Sequence, residues 1–347
     1  MLLAGLLLIG LVSAGGRRLA VAADVVELLR SADGKPGPVL RGEILDIAGG
    51  RLTLRRADGR EDSIPWPRVA QYRTEWPLGV DEADRLRHER RFAEAISAYR
   101  GAAQAEPRGW VKRALIARAI GCFRDQNQPA RAGDLFLGLY RADPETPHFD
   151  AIPLGWLPPQ FAFHGGPQSG PHGGPHGGPQ NAASGPGDRD LRSVAPRWLA
   201  ETAHPAAVLL GASWLISAGE PGTALAPLRT LTQNADPRVA LLAEAQLWRT
   251  RATRATEAEI EAWEKIPPRL PAALRGGPYL TLGWAWQQSG QPERAALAFL
   301  RVPIEHSDQP LLAAAALELA ARQLEQLQRP AEAARLRREQ SARFGSP

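Results

Sequence analysis

One recurring set of intervals limits what this chain can fold into. Phe92, Ala95, Tyr99, Ala102 and Pro107 follow the spacing F-x2-A-x3-Y-x2-A-x4-P, and Ala132, Phe136, Leu139 and Pro144 repeat its later part. Toward the other end, Tyr279, Leu282, Gly283 and Trp286 are followed by Gly290, Ala295, Phe299 and Val302. Steps of three and four residues mark one face of a helix. Small residues on that face let two helix backbones approach, and the aromatic residues fill the space beside them. Pro107 and Pro144 stop the second helix of each pair, because proline removes a backbone donor and clashes with the preceding turn. Weaker copies occur at Gly219, Ala224, Leu228 and Leu231, and at Ala320, Leu324, Pro330 and Ala333. Residues 239–266 keep only Leu247, Trp248 and Trp263 of the pattern. One hairpin cannot bury its own apolar face, so neighbours must stack. The expectation is a mainly α chain of stacked helical hairpins in two arrays, residues 78–160 and 191–347.

The aromatic-x2-L-G-x2-aromatic run at Tyr279–Trp286, with A-x3-F at Ala295–Phe299, resembles the tetratricopeptide repeat, a helix-turn-helix unit of about 34 residues. The last stretch, Ala331-Glu332-Ala333-Ala334 through Arg343-Phe344-Gly345-Ser346-Pro347, is similar to the final repeat of bacterial envelope tetratricopeptide proteins. The resemblance implies an α-solenoid whose concave groove is lined by the first helix of each unit. It places Trp284, Gln287 and Gln288 of the clearest repeat, with Arg124 and Ser213 of others, as candidates to face a protein or peptide partner. Trp and Arg are favoured interface anchors; a core position for Trp284 is the competing reading. The lysine and asparagine pattern with which some relatives hold a C-terminal carboxylate is not visible.

Ahead of the repeats the period changes to two. Val25-Val26, Leu28-Leu29, Leu40 to Ile47, Leu52–Leu54 and Ile64 are separated by Asp33-Gly34, Gly49-Gly50 and Asp58-Gly59. Glycine in these pairs supplies the positive φ of tight hairpins, so residues 24–75 are expected to form four or five short antiparallel strands. The run from Leu40 to Arg60 resembles SH3-like or Sm-like small barrels, which implies either a docking module or a cap on the helices. Before it, Leu2–Val12 is an apolar run too short for a membrane span of about 20 residues. With the small-x-small site Ala20-Val21-Ala22 it reads as a signal peptide over residues 1–23. The expected location is the periplasm or cell envelope, with an N-terminal anchor as the alternative if the signal is not cleaved.

Residues 161–190 are rich in Gly, Pro and His and carry few apolar side chains, so the expectation there is a disordered linker. His164, His172 and His176 could chelate a metal, but a flexible chain would first have to order, and no metal or other cofactor is expected. The stretch from Pro147 to Trp156 is too apolar for a free loop. It is expected to pack back on the repeats, with His148 making a structural hydrogen bond.

The formal charge of +5 is carried almost wholly by arginines dispersed among acidic residues, which argues against a nucleic-acid footprint. Weak attraction to anionic wall polymer or membrane surface remains compatible with it. Cys122 is the only cysteine, so no intrachain disulfide or cysteine-based zinc cluster can form, and its apolar neighbours point to a buried thiol. Nucleophile elbows, phosphate loops and metal-binding HExxH runs are missing; His88-Glu89 lacks the second histidine. The function expected is a non-catalytic exported interaction scaffold. The alternatives are a structural envelope component and an accessory subunit of an envelope enzyme.

Overall fold

The computed structural model describes residues 24–30, 34–157 and 186–345. The chain divides into a β unit ending at Trp76 and a helical unit beginning at Pro77. The apolar run of the proposed signal peptide and His164, His172 and His176 lie outside the described residues.

In the β unit, β1 (Asp24–Leu28), β2 (Val39–Ala48), β3 (Arg51–Arg55), β4 (Glu61–Pro65) and β5 (Val69–Arg73) form an antiparallel sheet in the order β4-β3-β2-β1-β5. The glycine-marked turns fall where the sequence placed them: Gly49 and Gly50 join β2 to β3 and Gly59 joins β3 to β4, all with positive φ. The ten-residue β2 serves two partners. Val39–Gly42 pairs with β1, whereas Glu43–Ala48 pairs with β3, with a register shift between Ile44 and Asp46. A bulged strand that changes partners is how a small sheet turns a corner and covers its own core. Gly42 sits at that corner, where a Cβ would overlap the carbonyl of Arg55. Val26, Ile44, Ile47, Leu52, Leu54 and Ile64 fill the interior.

The helical unit is built from hairpins. They are α1 (Val80–His88) with α2 (Phe92–Ala105), α3 (Gly109–Asp125) with α4 (Pro129–Ala142), and α6 (Pro205–Ser217) with α7 (Pro221–Leu231). Then come α8 (Pro237–Arg251) with α9 (Glu257–Trp263), α10 (Gly276–Gln288) with α11 (Pro292–Glu305), and α12 (Pro310–Gln326) with α13 (Pro330–Phe344). A single helix, α5 (Pro186–Ala200), precedes α6 and packs against both α4 and α6.

Five of these hairpins share one turn. Arg90, Asn127, Gly219, Gly290 and Gln328 take φ between 55° and 85°. The N–H of the next residue returns to a carbonyl five positions back: Arg91 to Leu86, Gln128 to Phe123, Glu220 to Leu215, Gln291 to Trp286 and Arg329 to Leu324. This is the Schellman closure, which satisfies carbonyls the helix end leaves open. In four of the five, proline then opens the second helix, where its missing N–H costs nothing. Three residues further on stand Ala95, Ala132, Ala224, Ala295 and Ala333, each fully buried. The α8–α9 junction departs from this rule. There, Thr256 and Glu259 form a reciprocal capping box instead, so the copy that looks degenerate in sequence uses different turn chemistry.

Close packing follows the small residues. A Cβ on Gly283 would overlap Phe299, as the α10–α11 pattern implies. The two expected arrays belong to one compact unit, and α5 lies between their helices. Gly133 of α4 lies under the indole of Trp198, whose N–H donates to Asp134 at 3.0 Å, and Gly211 of α6 lets the α5 backbone approach. The last five residues of the segment expected to be linker open α5; residues 158–185 are outside the description. None of the described helices is long and apolar enough to cross a membrane.

Candidate functional site

The segment after α4 does more than pack back on one hairpin. Residues 146–157 form a strap that crosses the first helices of successive hairpins. It begins with a short 3-10 turn, Pro147–Ala151, capped by the Thr146 hydroxyl. Phe149 sits edge-on to Phe136 and Tyr140 of α4, with ring centroids 5.9 and 6.1 Å away. The guanidinium of Arg238 from α8 lies over the Phe149 ring at 4.2 Å and also donates to the carbonyls of Thr146 and Pro144.

Beyond the turn the strap is held through its backbone. The Ser213 hydroxyl of α6 accepts from Gly155 N–H at 2.9 Å and donates to Gly155 C=O at 3.1 Å. Gln246 of α8 donates to that same carbonyl at 3.2 Å, and the Trp214 indole donates to Pro153 C=O at 2.8 Å. Only glycine permits this approach, since a Cβ on Gly155 would overlap the Ser217 hydroxyl. Trp156 lies on Gly277 of α10, another position where a Cβ would overlap the ring. Ile152, Leu154 and Trp156 are all buried.

Arg249 of α8 organises this network from below. Its guanidinium donates to Gln246 Oε1 at 2.7 Å, Ser217 Oγ at 2.9 Å and Ser213 C=O at 3.1 Å. No carboxylate pairs with it among the described residues, and burial pushes its pKa down to about 9. A buried cation without a counter-ion is costly, and here polar oxygens alone compensate it.

The two ends of the helical array meet beside the strap. Arg124 at the end of α3 reaches the Asp308 carbonyl at 3.4 Å, and Arg90 stands against Gly345. The junction leaves a small cleft of about 70 Å³. Leu154, Trp156, Trp214, Leu311 and Leu312 make it mostly apolar, with Arg124 and Asp125 as its charged residues. Burial raises the Asp125 carboxyl pKa although Arg124 and Arg87 stand 3.4 and 3.7 Å away.

The structure divides the residues expected to line a partner groove. Ser213 is fully buried and its hydroxyl is committed to the strap, so it is not open to a partner. Arg124 lines the cleft. Trp284 is half-buried and Gln288 exposed; at steps of seven and eleven residues they continue the α10 stripe that Gly277 presents to Trp156. Gln287 lies off that stripe, and its side-chain oxygen is enclosed with no hydrogen bond. The strap's destination and the roles of Gln246, Arg249 and Gly277 escaped sequence reasoning. The only signal was the apolar character of the stretch from Pro147 to Trp156 itself.

Cys122 is buried and burial pushes its thiol up to about 11, as a core residue requires. Among the described residues, no group of three or more His, Cys, Asp or Glu side chains gathers to hold a metal. His148 departs from expectation: its backbone N–H donates to Thr146 Oγ1, but its ring makes no hydrogen bond among the described residues. Burial, then Arg113 and Arg118, push the imidazole down to about 4 from an ordinary 6.5. The folded state therefore keeps this ring neutral while the unfolded chain protonates it. Stability is unaffected above about pH 6.5, falls as the pH drops and stops falling below about 4. His148→Gln is expected to remove about 2 kcal/mol of the loss in unfolding free energy between pH 7 and 5, measured by urea denaturation. Identical pH profiles for the two proteins would refute the assignment.

No family model matches the sequence, and comparison with curated proteins and with solved structures also finds no match.

Proposed function

We propose that this chain is a non-catalytic, exported interaction scaffold of the tetratricopeptide type. The observation that carries the reading is the way its first helices hold extended main chain. Ser213, Trp214 and Gln246 bind backbone groups of the strap, glycines admit its close approach, and hydrophobic side chains seat beside it. This is the chemistry of peptide recognition, realised within one molecule. Because the strap is buried as deeply as core, partners would use the concave surface it leaves uncovered, around Trp284, Gln288 and the cleft at Arg124. The β unit would supply a second contact or a cap. Export is supported by the leader-like sequence before Ala23.

A photo-crosslinking residue at Trp284 or Gln288, introduced in intact cells, is expected to capture a protein partner. The same residue at Leu297 on α11, 63% exposed, serves as the control and should not. The Trp284 adduct should also survive high salt, whereas wall-polymer association driven by arginines would weaken steeply. Equal labelling at both positions, or adducts lost with salt, would remove the groove reading.

A further inference from the structure

Single exposed aliphatic residues are ordinary on a protein surface, whereas several side by side mark a contact surface. In the β unit they gather where β1 ends and β2 begins. Val39 opposes Glu27 across the β1–β2 ladder, and Leu29, the next residue of the Glu27 face, stands diagonally beside it. The two are 54% and 55% exposed, and Pro36 and Pro38 are exposed next to them. The loop that carries the prolines is pinned to β1. Leu28 N–H donates to Pro38 C=O at 3.1 Å, and a Cβ on Gly37 would overlap the carbonyls of Leu28 and Leu29. Proline on both sides of Gly37 fixes φ there, so this apolar tip is ordered before anything meets it.

Cations surround the tip. Arg41 follows Val39 on the same face, Arg30 follows Leu29 in the chain, and Arg68 C=O accepts from Leu29 N–H at 2.9 Å. All three arginines are exposed, and none pairs with a carboxylate among the described residues; Arg30 donates to Gly34 C=O. The carboxylates of this face are already matched. Glu27 accepts from Arg73 at 2.7 Å and from Gln71 at 2.6 Å, and Glu43 stands 3.4 Å from Arg55. Asp33 and Lys35 of the intervening loop offset one another in formal charge. The tip is therefore aliphatic, with Arg30, Arg41 and Arg68 as a surplus of positive charge around it. Leucine, valine and proline side chains have no hydrogen bonds with which to read a polymer. They suit the boundary between acyl chains and headgroups, and the arginines suit headgroups that are anionic.

We propose that the tip formed by Leu29, Pro36, Pro38 and Val39 docks the β unit on an anionic lipid bilayer. The aliphatic side chains enter the interface, and Arg30, Arg41 and Arg68 meet the headgroup phosphates. Two aliphatic residues and three arginines make a weak, reversible attachment that salt loosens. The surface lies wholly within the β unit, so the proposal stands or falls apart from the scaffold reading of the helices.

The test uses the full chain and vesicles of phosphatidylcholine, either pure or with about 30 mol% phosphatidylglycerol. An environment-sensitive nitrobenzoxadiazole label is attached to Val39→Cys or, as the control, to Arg60→Cys on the β3–β4 turn; Cys122 is buried and stays unlabelled. The Val39 label is expected to brighten and shift to the blue on the anionic vesicles alone, and the Arg60 label to stay as in water. Tethering through the apolar run at Leu2–Val12 would leave both labels unchanged, so the comparison reads the tip itself. Leu29→Ser, followed through the Val39 label, should raise the lipid concentration at half-maximal change about tenfold. Arg41→Gln should raise it about fivefold. Both side chains are exposed, so the thermal midpoint should not move in either variant. A Val39 label that stays in water on anionic vesicles, that responds equally to neutral ones, or that is matched by the Arg60 label would each overturn the proposal. So would unchanged lipid midpoints in both variants.

Discussion

Trp156→Ala is expected to lower the unfolding free energy of the helical unit by about 3–5 kcal/mol, the usual cost of emptying a buried aromatic site. The indole is 9% exposed and fills the space over Gly277 that a side chain on α10 would otherwise occupy. Its loss leaves a cavity among helices from different hairpins, and these cannot collapse independently because the strap is fixed on both sides of the gap. Phe149 is clamped by Phe136, Tyr140 and Arg238, and Gly155 is clamped by Ser213 and Gln246. The defect should therefore spread beyond α10. Hydrogen exchange should accelerate in α6 and α12 as well, while the β unit stays protected. Trp156→Phe, which keeps most of the volume, should recover much of the loss. A urea midpoint unchanged in Trp156→Ala would show that the strap rests on the hairpins without joining them.

That expectation could not have been written from the sequence. Helix faces were legible because Phe92, Ala95 and Tyr99, or Ala295 and Phe299, contact residues nearby in the chain, and local contacts leave a local period. The β turns were legible because Gly49, Gly50 and Gly59 are there for conformations that favour glycine. Arg90, Asn127 and Gln328 adopt the same left-handed turn without a glycine to mark it, so those three junctions are visible only through the alanines that follow and, after Asn127 and Gln328, the proline. The strap leaves no period at all. Its partners Ser213, Gln246, Arg249 and Gly277 are scattered over three helices, and only the stacking of hairpins brings them together. Ser213 and Arg124 were picked out as groove residues on the position of their helices, and both do lie beside the strap. What position could not reveal was that the chain itself already uses the Ser213 hydroxyl.

The common turn gives the second large effect. Ala295 is fully buried where α11 leaves the turn and crosses α10, beside the contact between Gly283 and Phe299. Ala295→Arg would drive a long charged side chain into that contact. Either the guanidinium is buried without a partner or the helices separate, and each outcome costs about 3–5 kcal/mol. At the sensitivity of a domain this size, the melting temperature should fall by roughly 10 °C. Leu297→Arg, two residues along and 63% exposed, places the same side chain on the outer face. It should change stability by no more than about 0.5 kcal/mol. The shared geometry extends the argument to Ala95, Ala132, Ala224 and Ala333, which occupy the same position after the same turn. If the hairpins are copies of one packing unit, arginine at each should be damaging, and least so at Ala333, because α13 packs chiefly on α12. A tolerant Ala295→Arg would break the equivalence of the five turns and, with it, the claim that one repeating interval builds the helical unit.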